Sequence, residues 1–166
     1  MFKLGGPTHT AKLAVPAGWH ARSHHAQHGP GPYLEPNAHI LAPPDDSAFI
    51  MVIAYRGHDD TSLDGIANGW AAQTGNIAAA RWRGPRQGHL GAGRHPVDLW
   101  EGTATRGGEP AAVWQLRRKF QPRERVTHLV IAALDRQARP ARRQELLGCI
   151  RSYQVEPAEV SGSSPR

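Results

Sequence analysis

The sequence predicts an α+β fold: an antiparallel sheet with a central three-strand meander, flanked by helices. Three observations carry this. Residues 97–103 and 111–116 read as strands on either side of Arg106-Gly107-Gly108-Glu109, where consecutive glycines can take positive φ without a Cβ clash, as a tight hairpin turn demands. With Gly107 and Gly108 at the turn centre, Leu99 stands opposite Leu116 and Glu101 opposite Trp114. Residues 127–134 supply a third, more apolar strand. Stretches of helical spacing before and after the meander supply the cover that one of its faces needs.

Taken in order, Lys12-Leu13-Ala14-Val15 reads as a short strand stopped by Pro16, with Trp19 following as a structural plug. Residues 20–44 contain Gly29-Pro30-Gly31-Pro32 and Pro36. They cannot hold a continuous helix or a central strand, so a long loop is expected, with room for a short edge strand near 38–41. Residues 49–55, Phe-Ile-Met-Val-Ile-Ala-Tyr, are apolar in both phases, the pattern of a strand buried on two faces. A helix is expected after His58-Asp59-Asp60. Thr61 and Asp64 form its capping box, Leu63, Ile66, Ala67, Trp70 and Ala71 its buried face, and Gly75 its stop.

Residues 81–96 read as a basic, glycine-rich connection holding Trp82. A final helix places Leu146, Leu147 and Ile150 on one side, and residues 153–155 read as an edge strand. The resulting partition is a leader segment over 1–11, one domain over 12–155 with a His/Pro/Gly-rich loop at 20–44, and a disordered tail over 156–166.

A chain of 166 residues is the size of one ordinary domain. Its 39% hydrophobic and 20% charged residues are globular values, whereas 18 glycines and 14 prolines point to long loops. The net charge of +6 favours acidic partners or anionic surfaces without naming one. A single cysteine, Cys149, excludes an intramolecular disulfide, and its apolar neighbours predict burial. No apolar run approaches the ~20 residues of a membrane span, and residues 1–16 lack a signal peptide's apolar block. The expected location is therefore cytoplasmic, or periplasmic or secreted if a native leader precedes Met1.

Val15-Pro16-Ala17-Gly18-Trp19 resembles the opening motif of the PsbP-like superfamily. Companion marks are the apolar strand before a central helix, the Leu90-Gly91 and Pro96-Val97 step into a hairpin, and the closing Leu147-Gly148-Cys149-Ile150-Arg151-Ser152-Tyr153. Together these cover residues 12–155. The resemblance implies a PsbP-like α/β/α sandwich. The superfamily's members mostly bind proteins: a photosystem extrinsic subunit, a GTPase-binding import factor, bacterial lipoproteins and type VI secretion effector chaperones. It implies no catalytic residues. The His- and Pro-rich loop and the missing lipoprotein leader depart from the family pattern.

His20, His24 and His28 stand four apart and could line one helical face as metal ligands, but Gly29-Pro30 breaks any such helix and no cysteine or carboxylate pair completes a site. His58-Asp59-Asp60 fits helix entry better than metal binding. Gly91-Ala92-Gly93 lacks the third glycine of a phosphate cradle, and no nucleophile turn or zinc-protease helix occurs. No catalytic residue, cofactor or metal is assigned, and the expectation is a non-enzyme.

Arg81-Trp82-Arg83 with Arg86, and Arg117-Arg118-Lys119-Phe120 with Arg123 and Arg125, combine cations with aromatics as single-strand binders do. The expected function is nonetheless a protein-binding module, most concretely an assembly factor or a chaperone for a secreted effector or its hydrophobic segment. A basic single-stranded nucleic-acid binder and a metal binder acting through the His-rich loop are the alternatives. The expected docking face is the open side of the meander, through Trp100, Val113, Trp114 and Gln115, with the two tryptophans on opposite sides of the sheet.

Overall fold

The computed structural model describes residues 1–5, 9–25, 37–56, 68–69, 72, 75–90, 95–120 and 126–157. In chain order the strands are β1 (Phe2–Gly5), β2 (His9–Leu13), β3 (His20–His25), β4 (Asn37–Ala42), β5 (Ala48–Arg56), β6 (Ile77–Leu90), β7 (His95–Arg106), β8 (Glu109–Phe120), β9 (Val126–Asp135) and β10 (Gln154–Pro157). Helix α1 (Pro140–Arg151) lies between β9 and β10. Seven strands form one antiparallel sheet ordered β3-β4-β5-β9-β8-β7-β6, and β1-β2-β10 form a small second sheet.

The expected α/β/α sandwich is therefore corrected to a mostly β architecture, with α1 as the one complete helix among the described residues. The difference arises at polar strands. Residues 81–90, expected as a connection, belong to the 14-residue β6, and residues 20–25, expected as loop, form β3. Both are edge strands of the large sheet. Hydrophobic alternation marks only strands that bury a face, and β6 buries little beyond Ile77. Its two register breaks, its arginines and Pro85 suit an edge that must not recruit another strand. Residues 38–41 lie within β4, which is interior and paired to β3 and β5.

The expected hairpin register holds, with Leu99 opposite Leu116 and Glu101 opposite Trp114. Gly107 and Gly108 have φ of 59° and 89°. β5 is buried on two faces: Ile50 and Val52 join a core with α1 and the small sheet, whereas Phe49, Met51 and Ile53 join a second core on the other side. Trp19 is buried in the first core. Most of the expected 61–75 helix, including Trp70, lies outside the described residues. Gly75 is helical, and the left-handed residue ending that segment is Asn76, at φ 52°. Gly75 is needed for space, since a Cβ there would lie 2.3 Å from Cζ of Phe49.

Two arginines clasp the loop between β4 and β5 from opposite faces. Buried Arg142 of α1 donates to Asp45 at 2.9 Å and to Glu145, and lies 5.6 Å above the Trp19 ring. The Trp19 indole donates to Glu145 at 3.2 Å. From the end of β7, Arg106 pairs with Asp46 at 2.9 Å and Asp135 at 3.1 Å while lying 5.2 Å over Phe49 of the second core. The Asp45 carboxyl is held down to about 2, first by the Ser47 hydroxyl and then by Arg142. Burial pushes the Glu145 carboxyl up, but hydrogen bonds from Trp19 and Arg142 outweigh it and the net shift is downward.

Candidate functional site: an open trough beside the helix

Cross-strand partners share a face, so the register places each side chain of the meander. On the helix-bearing face one row runs Arg86, Leu99, Leu116, Val130, and the next Arg83, Glu101, Trp114, Ala132. A third runs Arg81, Thr103, Ala112, Leu134. Helix α1 packs over β5 and β9. Val130 and Ala132 are consequently buried, whereas Leu99 and Trp114 are half-buried and Arg83, Arg86 and Glu101 are exposed. The sheet continues past its helical cover, and the uncovered step is a trough.

One end of the trough is a cleft of about 230 Å³ whose lining includes Leu90, Leu99, Trp114 and Leu147, with Arg86, Glu101, Arg143 and Arg151 around them. A second cleft of about 490 Å³, lined by Thr103, Ala112, Leu134, Arg136, Arg139 and Pro140 among others, shares Arg143 with the first. The wall common to both is α1, whose Arg143, Leu147 and Arg151 stand four residues apart and so lie in one line, extended by Arg139 just before the helix. Arg143 lies 5.7 Å over the Trp114 ring, joining wall to floor. Arg86 pairs with Glu101 at 3.8 Å.

Of the four expected docking residues, Trp114 lies in this trough; Trp100 and Gln115 border its first cleft, although the register puts them in the opposite phase. Val113 and Gln115 are buried. Arg117 stacks 4.5 Å over Trp100, and Gln115 is buried on the same face. The sequence reading missed Arg143, Leu147 and Arg151 as trough residues. Their spacing within a helix was the available signal, but it marks a face without saying what the face borders.

Among the described residues no cluster of three or more histidine, cysteine or acidic side chains could hold a metal. His20 and His24 belong to a strand, where the helical spacing argument does not apply. His28 and His58-Asp59-Asp60 lie outside the described residues. Cys149 is buried, which pushes its thiol up to about 12, far from a nucleophile's range. At the far end of the helix-bearing face His128 and Tyr153, both buried, share a 2.8 Å hydrogen bond. Burial drives the Tyr153 hydroxyl up, so it stays neutral. No helix among the described residues is long and apolar enough to cross a membrane.

No protein-family model matches the chain, and no curated protein does. Among solved structures, the chain is similar to LpqN, whose crystal structure is described as involved in cell envelope biogenesis of Mycobacterium tuberculosis. The identity is 18% and the TM-score 0.49, over 94% of this chain and 89% of that one.

Proposed function

We propose that the protein is a non-enzymatic binding module that engages another protein through the trough beside α1. The observation carrying this reading is Trp114, a half-exposed indole set among leucines in a cleft at the end of the helical cover. Indole buries a large area with few rotamers to freeze, which makes it a common interface anchor. An assembly factor or secretion-effector chaperone is the concrete version, and it rests on the sequence resemblance. Single-stranded nucleic acid is the weaker reading. Successive stacked bases need several aromatics along one track. Here Trp19 is buried, while Trp82 packs against the second core and Trp100 stands on that same far face.

The test is recovery of partners from native lysate by the parent, Trp114→Ala and Trp100→Ala, each shown to be folded. Trp114→Ala should lose partners that Trp100→Ala retains. Recovery of the same partners by both variants removes the trough from the interface.

A further inference from the structure

We infer that the trough accepts an extended acidic segment of a partner chain, in which apolar side chains alternate with carboxylates. This deepens the binding reading above and rests on it. Shape comes first. The two clefts lie along the same side of α1 and meet at Arg143, whose guanidinium reaches over Trp114 between them. From Arg139 to Arg151 the helical wall is about 18 Å long at 1.5 Å per residue. A strand rising about 3.3 Å per residue covers that with five or six residues, far more than a small metabolite spans.

Chemistry then selects the segment. The floor offers Leu90, Leu99 and Trp114 at one end, with Leu147 on the wall beside them, and Ala112 and Leu134 at the other, which suits side chains projecting downward at alternate positions. Around it stand Arg86, Arg143 and Arg151 at the first cleft and Arg136, Arg139 and Arg143 at the second. Arg86 is paired with Glu101, Arg139 with Glu145 and Arg106 with Asp135, which leaves Arg136, Arg143 and Arg151 as the arginines of the lining without a carboxylate partner among the described residues. The field over the channel is therefore positive, and carboxylates on the intervening residues meet it. A phosphate backbone would meet the same arginines. It would leave the leucines uncovered, and of the two tryptophans bordering the first cleft the register turns only Trp114 towards the helix-bearing face, so the acidic protein segment is the better fit.

The experiment measures anisotropy of a fluorescently labelled synthetic peptide of alternating glutamate and leucine, titrated with the full chain. A lysine–leucine counterpart, oligoglutamate and a labelled single-stranded oligonucleotide are titrated in parallel. The glutamate–leucine peptide should bind more tightly than the other three. Its binding should fall about tenfold or more in Arg143→Glu/Arg151→Glu, two exposed helix positions, in a variant whose melting curve shows it folded at the assay temperature. It should also fall in Trp114→Ala. Equal binding by the charge-reversed variant, or no binding by the parent, overturns the inference. A lysine–leucine peptide that binds as well, and still depends on Trp114, removes the acidic requirement but leaves the trough as the binding site. Tighter, arginine-dependent binding of the oligonucleotide overturns both the inference and the protein-binding reading.

Discussion

Replacing Gly75 and Gly148 by alanine should move stability in opposite directions, although both glycines are helical. Alanine is favoured over glycine in a helix by about 1 kcal/mol, chiefly because glycine loses more backbone entropy on folding. Gly148 lies inside α1, is exposed, and has no atom within 4 Å of where a Cβ would stand. Gly148→Ala should therefore gain roughly 0.5–1 kcal/mol. At Gly75 the same intrinsic gain meets a wall. The new Cβ would lie 2.3 Å from Cζ and 2.6 Å from Cε1 of Phe49. That ring is 2% exposed, with the Arg106 guanidinium on its face, so it has little room to retreat. Overpacking of this kind costs about 1–3 kcal/mol, which leaves a net loss of about 1 kcal/mol, and up to 2 if the ring cannot shift. Urea denaturation of the parent and both variants reads the difference as midpoints that move apart at unchanged slope. If Gly75→Ala raises the midpoint as Gly148→Ala does, the packing of this segment against β5 is not as described.

Two further outcomes follow from the titrating groups. The Asp45 carboxyl is held down to about 2, so its stabilising interaction is fully present above the ordinary carboxylate range and is lost as pH falls from about 4 towards 2. Urea midpoints should fall through that window, and Asp45→Asn should flatten part of the slope; an equally steep slope in the variant would separate the clasp from acid sensitivity. Cys149, with its thiol pushed up to about 12 by burial, should resist a disulfide-exchange reagent at neutral pH in the native protein and react at once in urea. Rapid labelling of the folded chain would contradict its place in the core.

The parts of the fold that the sequence disclosed are those where burial imposes a pattern. Residues 49–55 are apolar in both phases because cores lie on both sides of β5, and Gly107-Gly108 fixes the β7–β8 register through backbone sterics. The strands it concealed are the polar edges. Arg81-Trp82-Arg83 alternates for a single period, with Trp82 towards the second core, before Gly84-Pro85 and a register break end it, and beyond that β6 has little buried face to alternate towards. The trough was half legible. The opposite phases of Trp100 and Trp114 followed from the hairpin register, but the helix wall is a tertiary juxtaposition of residues 139–151 with the meander that no local spacing encodes.

The loop of residues 43–47 acts as a rivet through the sheet. Its adjacent aspartates face opposite ways: Asp45 is fastened to α1 on one side, and Asp46, through Arg106, to the Phe49 side. A sheet with separate cores on its two faces could in principle shed one cover while keeping the other. Here, pulling the helix away drags the same short segment that anchors the second core, so loosening on one face is transmitted to the other. The strands bordering that loop, β4 and β5, are thereby tied to both covers of the sheet at one point.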